Sequence, residues 1–278
     1  MVDARPDPNA VYSLGTSPGE TDRLLRQADE LLGANTALVD RTRLGPGDAA
    51  IDFGCGPRGI LELLSSRVGP TGRVVGVDAE ARFVALAEAM VARRSLGNVE
   101  VLLADARNTG LPSSSFDVTH ARTLLVTIPQ PEEVLEEMVR VTKPGGWVLG
   151  FEADIGGSIC YPDHAAYERL LELCERVIDR NGANQRIGRR VAELFRSAGL
   201  VDVQVESRAD TYPLGHTRRT VRLDLVRALR SPLVEFGLCT EAELDELLTA
   251  ADAHLDNPET VVVPHFSFLV SGRKRHNP

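Results

Sequence analysis

From residue 49 onward the chain alternates short apolar runs with longer stretches whose apolar residues recur every three or four positions. Ala49–Phe53, Arg73–Val77, Val99–Ala104 and Phe116–Ala121 are of strand length. Ile60–Val68 and Arg82–Leu96 carry helical spacing between them, and Pro131–Val141 places Val134, Leu135, Met138, Val139 and Val141 on its buried side. Lys143–Gly146 reads as a turn and Trp147–Glu152 as a fifth strand. Asp163–Asn181 and Ile187–Ala198 read as helices, the second stopped by Gly199, and Val201–Glu206 and Val261–Gly272 as the last two strands. Such alternation predicts an α/β fold with a largely parallel sheet and helices on both faces.

Two regions stand outside this rhythm. Residues 1–16, with Pro, Asp, Asn and Gly, predict a loose arm before a helix start at Ser17-Pro18-Gly19-Glu20, where Ser17 caps and Glu20 completes a capping box. Leu24, Leu25, Ala28, Leu31 and Leu32 form one stripe there, and a second helix is expected from Asn35 to Arg43. Between the last two strands, Arg218–Leu229 and Glu241–Leu255 predict helices, the second with a Thr240/Glu243 capping box. Too small for a core of its own, this insertion is expected to cap the C-terminal edge of the sheet. The expected division is therefore an N-terminal arm and helices (1–44), a core (45–207 with 259–278) and a helical cap (208–258).

Chemistry concentrates at Ile51-Asp-Phe-Gly-Cys-Gly-Pro-Arg-Gly-Ile60 and Val74-Val-Gly-Val-Asp-Ala-Glu80. A strand feeding a glycine loop lets backbone approach a ligand closely, and an acid ending the next strand, Asp78, suits two ribose hydroxyls. Gly54-x-Gly56-x-x-Gly59 would also serve a dinucleotide. Against that, Asp52 is placed to meet a cationic amine or a water and would repel a pyrophosphate. Asp105 ends the third strand, where an adenine amino group would lie. Asp117 and Val141-Thr-Lys-Pro-Gly-Gly-Trp147 follow in order.

With these residues, chiefly over 12–152, the chain resembles the class I S-adenosylmethionine-dependent methyltransferases of the branch acting on small molecules. The resemblance implies a Rossmann-like, seven-stranded, mostly parallel sheet and S-adenosylmethionine as cofactor. By position, it implies Gly54 and Gly56 beneath the methionine part, Asp78 on the ribose with Ala79 beside the adenine, and Asp105 and Ala106 on the adenine. Asp52 and Arg122 would stand near the methionine moiety, and Tyr12 in an arm folding over the cofactor. Two departures matter. Arg58 replaces a customary small residue, and Thr127 stands where many relatives carry His, which puts a base at that position in doubt.

Composition narrows the partners. The chain of 278 residues has a net charge of −9, 43% apolar and 26% charged residues, and no Lys/Arg run that resembles a nucleic-acid footprint, which disfavours nucleic acid. No apolar stretch is long enough to span a membrane. Cys55, Cys160, Cys174 and Cys239 lack CxxC spacing and read as reduced thiols of a cytoplasmic protein. No metal motif is present. The catalytic base stays open, with His164, His120 and His216 as weak candidates. Glu152, Asp154, Tyr161, His164, Tyr212, His216 and His265 are candidates for lining a substrate pocket at the strand ends and cap.

Methyl transfer to an O, N or C atom of a small metabolite, in secondary metabolism by analogy, is the expected function. A cofactor-binding relative that catalyses a cyclisation or only binds, and a nicotinamide oxidoreductase, are the alternatives. A homodimer through the N-terminal helix or the cap is compatible with this reading.

Overall fold

The computed structural model describes residues 18–180 and 182–276. Ser17, Tyr12 and the rest of the arm lie outside the described residues, so neither the Ser17 cap nor the Tyr12 contact is addressed. The chain begins with α1 (Pro18–Glu30) and α2 (Leu32–Val39), the latter ending in a single 3-10 turn. The alternating region follows: β1 (Ala49–Phe53), α3 (Leu61–Val68), β2 (Arg73–Asp78), α4 (Ala81–Arg93), β3 (Val99–Leu103), β4 (Phe116–Arg122), α5 (Pro131–Val141) and β5 (Thr142–Asp154). Then come β6 (Ile159–Tyr161), α6 (Ala165–Arg180), α7 (Val191–Ser197), β7 (Val201–Arg208), α8 (Val221–Ala228), α9 (Arg230–Glu235), α10 (Glu241–Leu255), β8 (Val261–Val263) and β9 (Phe266–Arg273).

Seven strands form the main sheet in the order β3-β2-β1-β4-β5-β9-β7. β1 to β5 pair in parallel, and β9 enters antiparallel between β5 and β7. The period of two along each strand divides the core. Ile51 and Phe53 face α5 and α7 through Leu135, Met138 and Phe195, whereas Ala50 faces α2, α3 and α4 through Leu38, Leu64 and Ala87. A third apolar cluster lies apart from the sheet. It joins Leu170, Leu173 and Val177 of α6 with Leu223 and Val226 of α8, Leu233 of α9, and Leu244, Leu248 and Leu255 of α10.

Three expectations are corrected. The strand expected over Val261–Gly272 is two strands, because Pro264 supplies no N–H to a ladder: β8 pairs with β6, and only β9 joins the main sheet. The turn expected at Lys143–Gly146 is the opening of β5. Within it the register with β4 slips between Phe116 and Val118 and Gly145 has a φ of 78°, so the segment bulges, tied to the chain beyond β9 by Gly145 N–H donating to the Lys274 carbonyl and Lys274 N–H to that of Gly146. The cap is also larger than the insertion, since β6 and α6, inside the 45–207 stretch, pack with it.

Candidate functional site

One continuous cavity opens where β1, β2, β3 and β4 end, the edge at which α/β sheets bind ligands. Its floor is the loop from β1 to α3. Gly54, Gly56 and Gly59 all have positive φ, of 63°, 56° and 54°. At Gly54 a Cβ would come within 2.8 Å of the Leu124 side chain, and at Gly59 it would collide with the Asp52 carboxylate, so this turn requires glycine at both positions. Asp78 at the end of β2 holds the loop against itself: its Oδ2 accepts from Gly56 N–H at 2.8 Å and its Oδ1 from Glu80 N–H at 2.9 Å. Each oxygen keeps a lone pair for a ligand hydroxyl. Burial raises the Asp78 pKa, and the two amide donors oppose that shift. Ala79, Asp105 and Ala106 line the same wall. Asp105 is also engaged by Arg107, whose hydrogen bonds hold its pKa below the ordinary carboxylate value.

Asp52 does not reach the cavity. It is 2% exposed and sits beneath the loop, where Oδ2 accepts from Ile60 N–H at 2.9 Å and Oδ1 meets His120 Nδ1 at 2.7 Å. His120 Nε2 faces Asn35 Oδ1 at 3.2 Å. The pair therefore braces β1, β4 and α2, and His120 is no catalytic group. Arg58 leaves the cavity as well, pairing with Glu62 and Asp29 at 2.7 and 2.6 Å, which accommodates it in place of a small residue.

Arg122, at the end of β4, lines the cavity with its Nη1 buried and unpartnered among the described residues, and burial lowers its pKa. The segment that follows, with Leu124, Val126 and Thr127, forms a further wall. Glu152 holds it from behind. Its carboxylate accepts from the N–H groups of Leu124, Leu125 and Val126 at 3.1, 3.1 and 3.3 Å, and burial outweighs these donors to push its pKa up to about 8. Thr127 spends its hydroxyl on the Leu124 carbonyl.

Several substrate and catalytic candidates fall elsewhere. Phe151 and Ala153 face the cavity, so Glu152 and Asp154 alternate away from it, and Asp154 pairs with Arg189. Tyr161 is 67% exposed on β6. His164 stacks on His254, outside the cavity lining. His216 accepts from Arg218 N–H and lies tilted against the ring of Tyr212, whose hydroxyl accepts from Arg218 Nε. Of the substrate candidates only His265 lines the cavity. Its Nε2 lies 3.0 Å from Arg218 Nη2, and burial, with Arg218 and Arg222 nearby, lowers its pKa to about 3. Because a guanidinium only donates, Nε2 is the acceptor and the proton sits on Nδ1.

Two walls escaped the sequence reading. Glu20, Leu24 and Gln27 of α1, Leu31 just after it, and Val221, Arg222, Leu225 and Ala228 of α8 line the cavity, with Arg218 just before α8. The first set repeats every three or four residues, as do Arg222, Leu225 and Ala228 in the second. Arg222, placed within an otherwise apolar stripe, was the available signal. Among the described residues no group of His, Cys, Asp and Glu is arranged to hold a metal ion, and no helix is long and apolar enough to cross a membrane.

Comparison with known proteins agrees with this geometry. A family model described as a methyltransferase domain matches residues 51–150. The demethylmenaquinone methyltransferase of Geobacillus sp. (strain WCH70) is 31% identical over 186 residues, spanning 61% of this chain and 77% of that protein. An uncharacterized 37.1 kDa protein in transposon TN4556 of Streptomyces fradiae is 31% identical over 210 residues, 71% of this chain, and the chain spans 59% of its length. Among solved structures, phosphoethanolamine N-methyltransferase 2 of Haemonchus contortus, in complex with S-adenosylhomocysteine, shares the fold with a TM-score of 0.58 at 18% identity, over 88% of this chain and 53% of that one. The identity to the demethylmenaquinone methyltransferase, of which the chain covers 77%, together with the match to the methyltransferase domain, identifies the chain as a member of the class I S-adenosylmethionine-dependent methyltransferases.

Proposed function

We propose that the protein transfers the methyl group of S-adenosylmethionine to an O, N or C atom of a small metabolite by in-line displacement. The carrying observation is the cavity itself, in which the glycine loop, Asp78 and the unpartnered Arg122 nitrogen converge. These residues fit the cofactor: Asp78 has free lone pairs for ribose hydroxyls, Gly54 and Gly56 leave the floor open, and Arg122 offers a donor to a carboxylate. Asp105, Ala79 and Ala106 would complete the nucleoside end. When bound, S-adenosylmethionine supplies an electrophilic methyl group on a sulfonium.

The chain's own contribution is placement and exclusion of water. α1, α8 and the segment after Arg122 surround the cavity, and holding two reactants in line supplies up to about 7–11 kcal/mol of a barrier. His265 is neutral and donates through Nδ1, so it orients an acceptor rather than deprotonating it. None of the three histidines weighed as a base lines the cavity, so the reading favours an acceptor atom that is already nucleophilic or loses its proton to solvent.

The finer parts of the reading are a cytoplasmic location, supported by four free cysteines, and a homodimer through α1–α2 or the cap, supported by the exposed Leu32 and Phe236. An acceptor from secondary metabolism belongs to the same proposal. The test incubates the full chain with S-adenosylmethionine and a panel of small acceptors, and follows S-adenosylhomocysteine release and methylated product together by mass spectrometry. Both must appear in equal amounts. Product without S-adenosylhomocysteine would assign the site to another reaction.

A further inference from the structure

The cavity is electrically uneven. Its β2 and β3 wall carries Asp78, Glu80 and Asp105, the last paired with Arg107, whereas its cap wall carries Arg218, Arg222 and His265. Arg218 is partnered by Glu30 at 3.4 Å, Tyr212 at 3.1 Å and His265 at 3.0 Å. Arg222 is different. It is 2% exposed, lines the cavity from α8, and its Nε and Nη2 find no hydrogen-bond partner among the described residues. A guanidinium cannot shed its charge as a buried lysine does, and a buried, unpaired charge destabilises a fold. The Tyr167 and Cys174 side chains lie close enough to feel the charge of Arg222, and neither is a counter-ion. An anion bound in the cavity would supply the missing partner.

We propose that Arg222, with Arg218 and the Nδ1–H of His265 beside it, forms an oxyanion subsite, and that the methyl acceptor is a small molecule bearing a carboxylate or a phosphate. The planar fork of a guanidinium matches both groups. Neutrality of His265 follows from its burial beside two arginines, so it adds a donor without adding charge. Arg122 lies at the end of β4, nearer the glycine loop, and is left for the cofactor. The inference rests on the reading that this cavity holds the acceptor.

The test titrates the full chain by calorimetry with benzoate, phenyl phosphate and the neutral benzyl alcohol, each with and without S-adenosylhomocysteine. Benzoate or phenyl phosphate should bind saturably and about tenfold or more tighter than benzyl alcohol, and the stronger of the two names the anion. Arg222→Met should abolish that preference, keep S-adenosylhomocysteine affinity within about twofold, and raise the melting temperature of the free protein, because a buried unpaired charge is removed. Arg222→Lys should retain part of the preference. Equal binding of the alcohol and both anions, no anion binding at all, or an anion preference that survives Arg222→Met would overturn the subsite. Should Arg222→Met fail to fold, the anion-to-alcohol ratio of the natural protein decides alone. Anion binding without S-adenosylhomocysteine binding would sink the cofactor assignment and leave the subsite standing.

Discussion

At the scale of single residues, two carboxylates near the cavity, Asp78 half-buried and Glu152 buried, do opposite work. Asp78 faces it and keeps lone pairs free, so Asp78→Ala should weaken S-adenosylhomocysteine binding by about a hundredfold, two charge-assisted hydrogen bonds being worth at least about 1.5 kcal/mol each. Calorimetry reads this directly, and undiminished affinity would remove the ribose assignment. Glu152 faces away and holds the segment after Arg122. Its pKa rises on folding from the ordinary 4.5 to about 8. The folded state thus binds more protons than the unfolded state between those values, and stability falls as pH climbs through that window. Urea denaturation from about pH 5 to about pH 8 should show that decline in the natural protein and a flatter profile in Glu152→Gln. A slope common to both would assign the pH dependence to other groups. The contrast also marks what was legible. That Asp78 and Asp105 end strands is plain in the chain, and so is their likeness to a nucleoside site. That Glu152 and Asp154 turn from the cavity while Phe151 and Ala153 face it depends on register with β4 and β9, which no local pattern encodes.

At the scale of elements, the loop from β1 to α3 is held from below by a chain of side chains running Ile60–Asp52–His120–Asn35 and ending on the Leu31 carbonyl. Asp52 resembles a ligand contact in the sequence because it stands beside the glycines. Its role as a brace needs His120, 68 residues away. Replacing His120 with Ala leaves Asp52 and Asn35 short of a partner in the core, and should cost about 2–5 kcal/mol in urea denaturation. An unchanged midpoint would show that the brace is dispensable. Strongly periodic elements were readable: α10 spans Glu241–Leu255 as its pattern and Thr240 cap require, with Thr240 Oγ1 accepting from Glu243 N–H. β8 and β9 were not separable by pattern, because the valines before Pro264 continue the same apolar run. Their separation appears only when β6 claims β8 as its partner.

At the scale of the whole molecule, the cap is a second apolar core assembled from two stretches of chain on either side of β7. Leu233 lies within it and is fully buried, so Leu233→Ala should destabilise the cap by about 2–5 kcal/mol. In hydrogen exchange the α8–α10 amides should then open at lower free energy than those of β1 and β4; uniform loss across both would mean cap and sheet unfold as one unit. Pattern reading found the insertion but not its recruitment of α6, since helical spacing reveals an apolar face and not what covers it. The cap closes a cavity whose acidic wall suits a nucleoside and whose arginine wall suits an anion, and the account depends on the nucleoside being the one that carries a sulfonium. Calorimetric titration of the full chain with S-adenosylmethionine, S-adenosylhomocysteine and NADH tests this most directly. Micromolar binding of the first two and none of NADH is the predicted result; binding of NADH alone, or of none of the three, would contradict it.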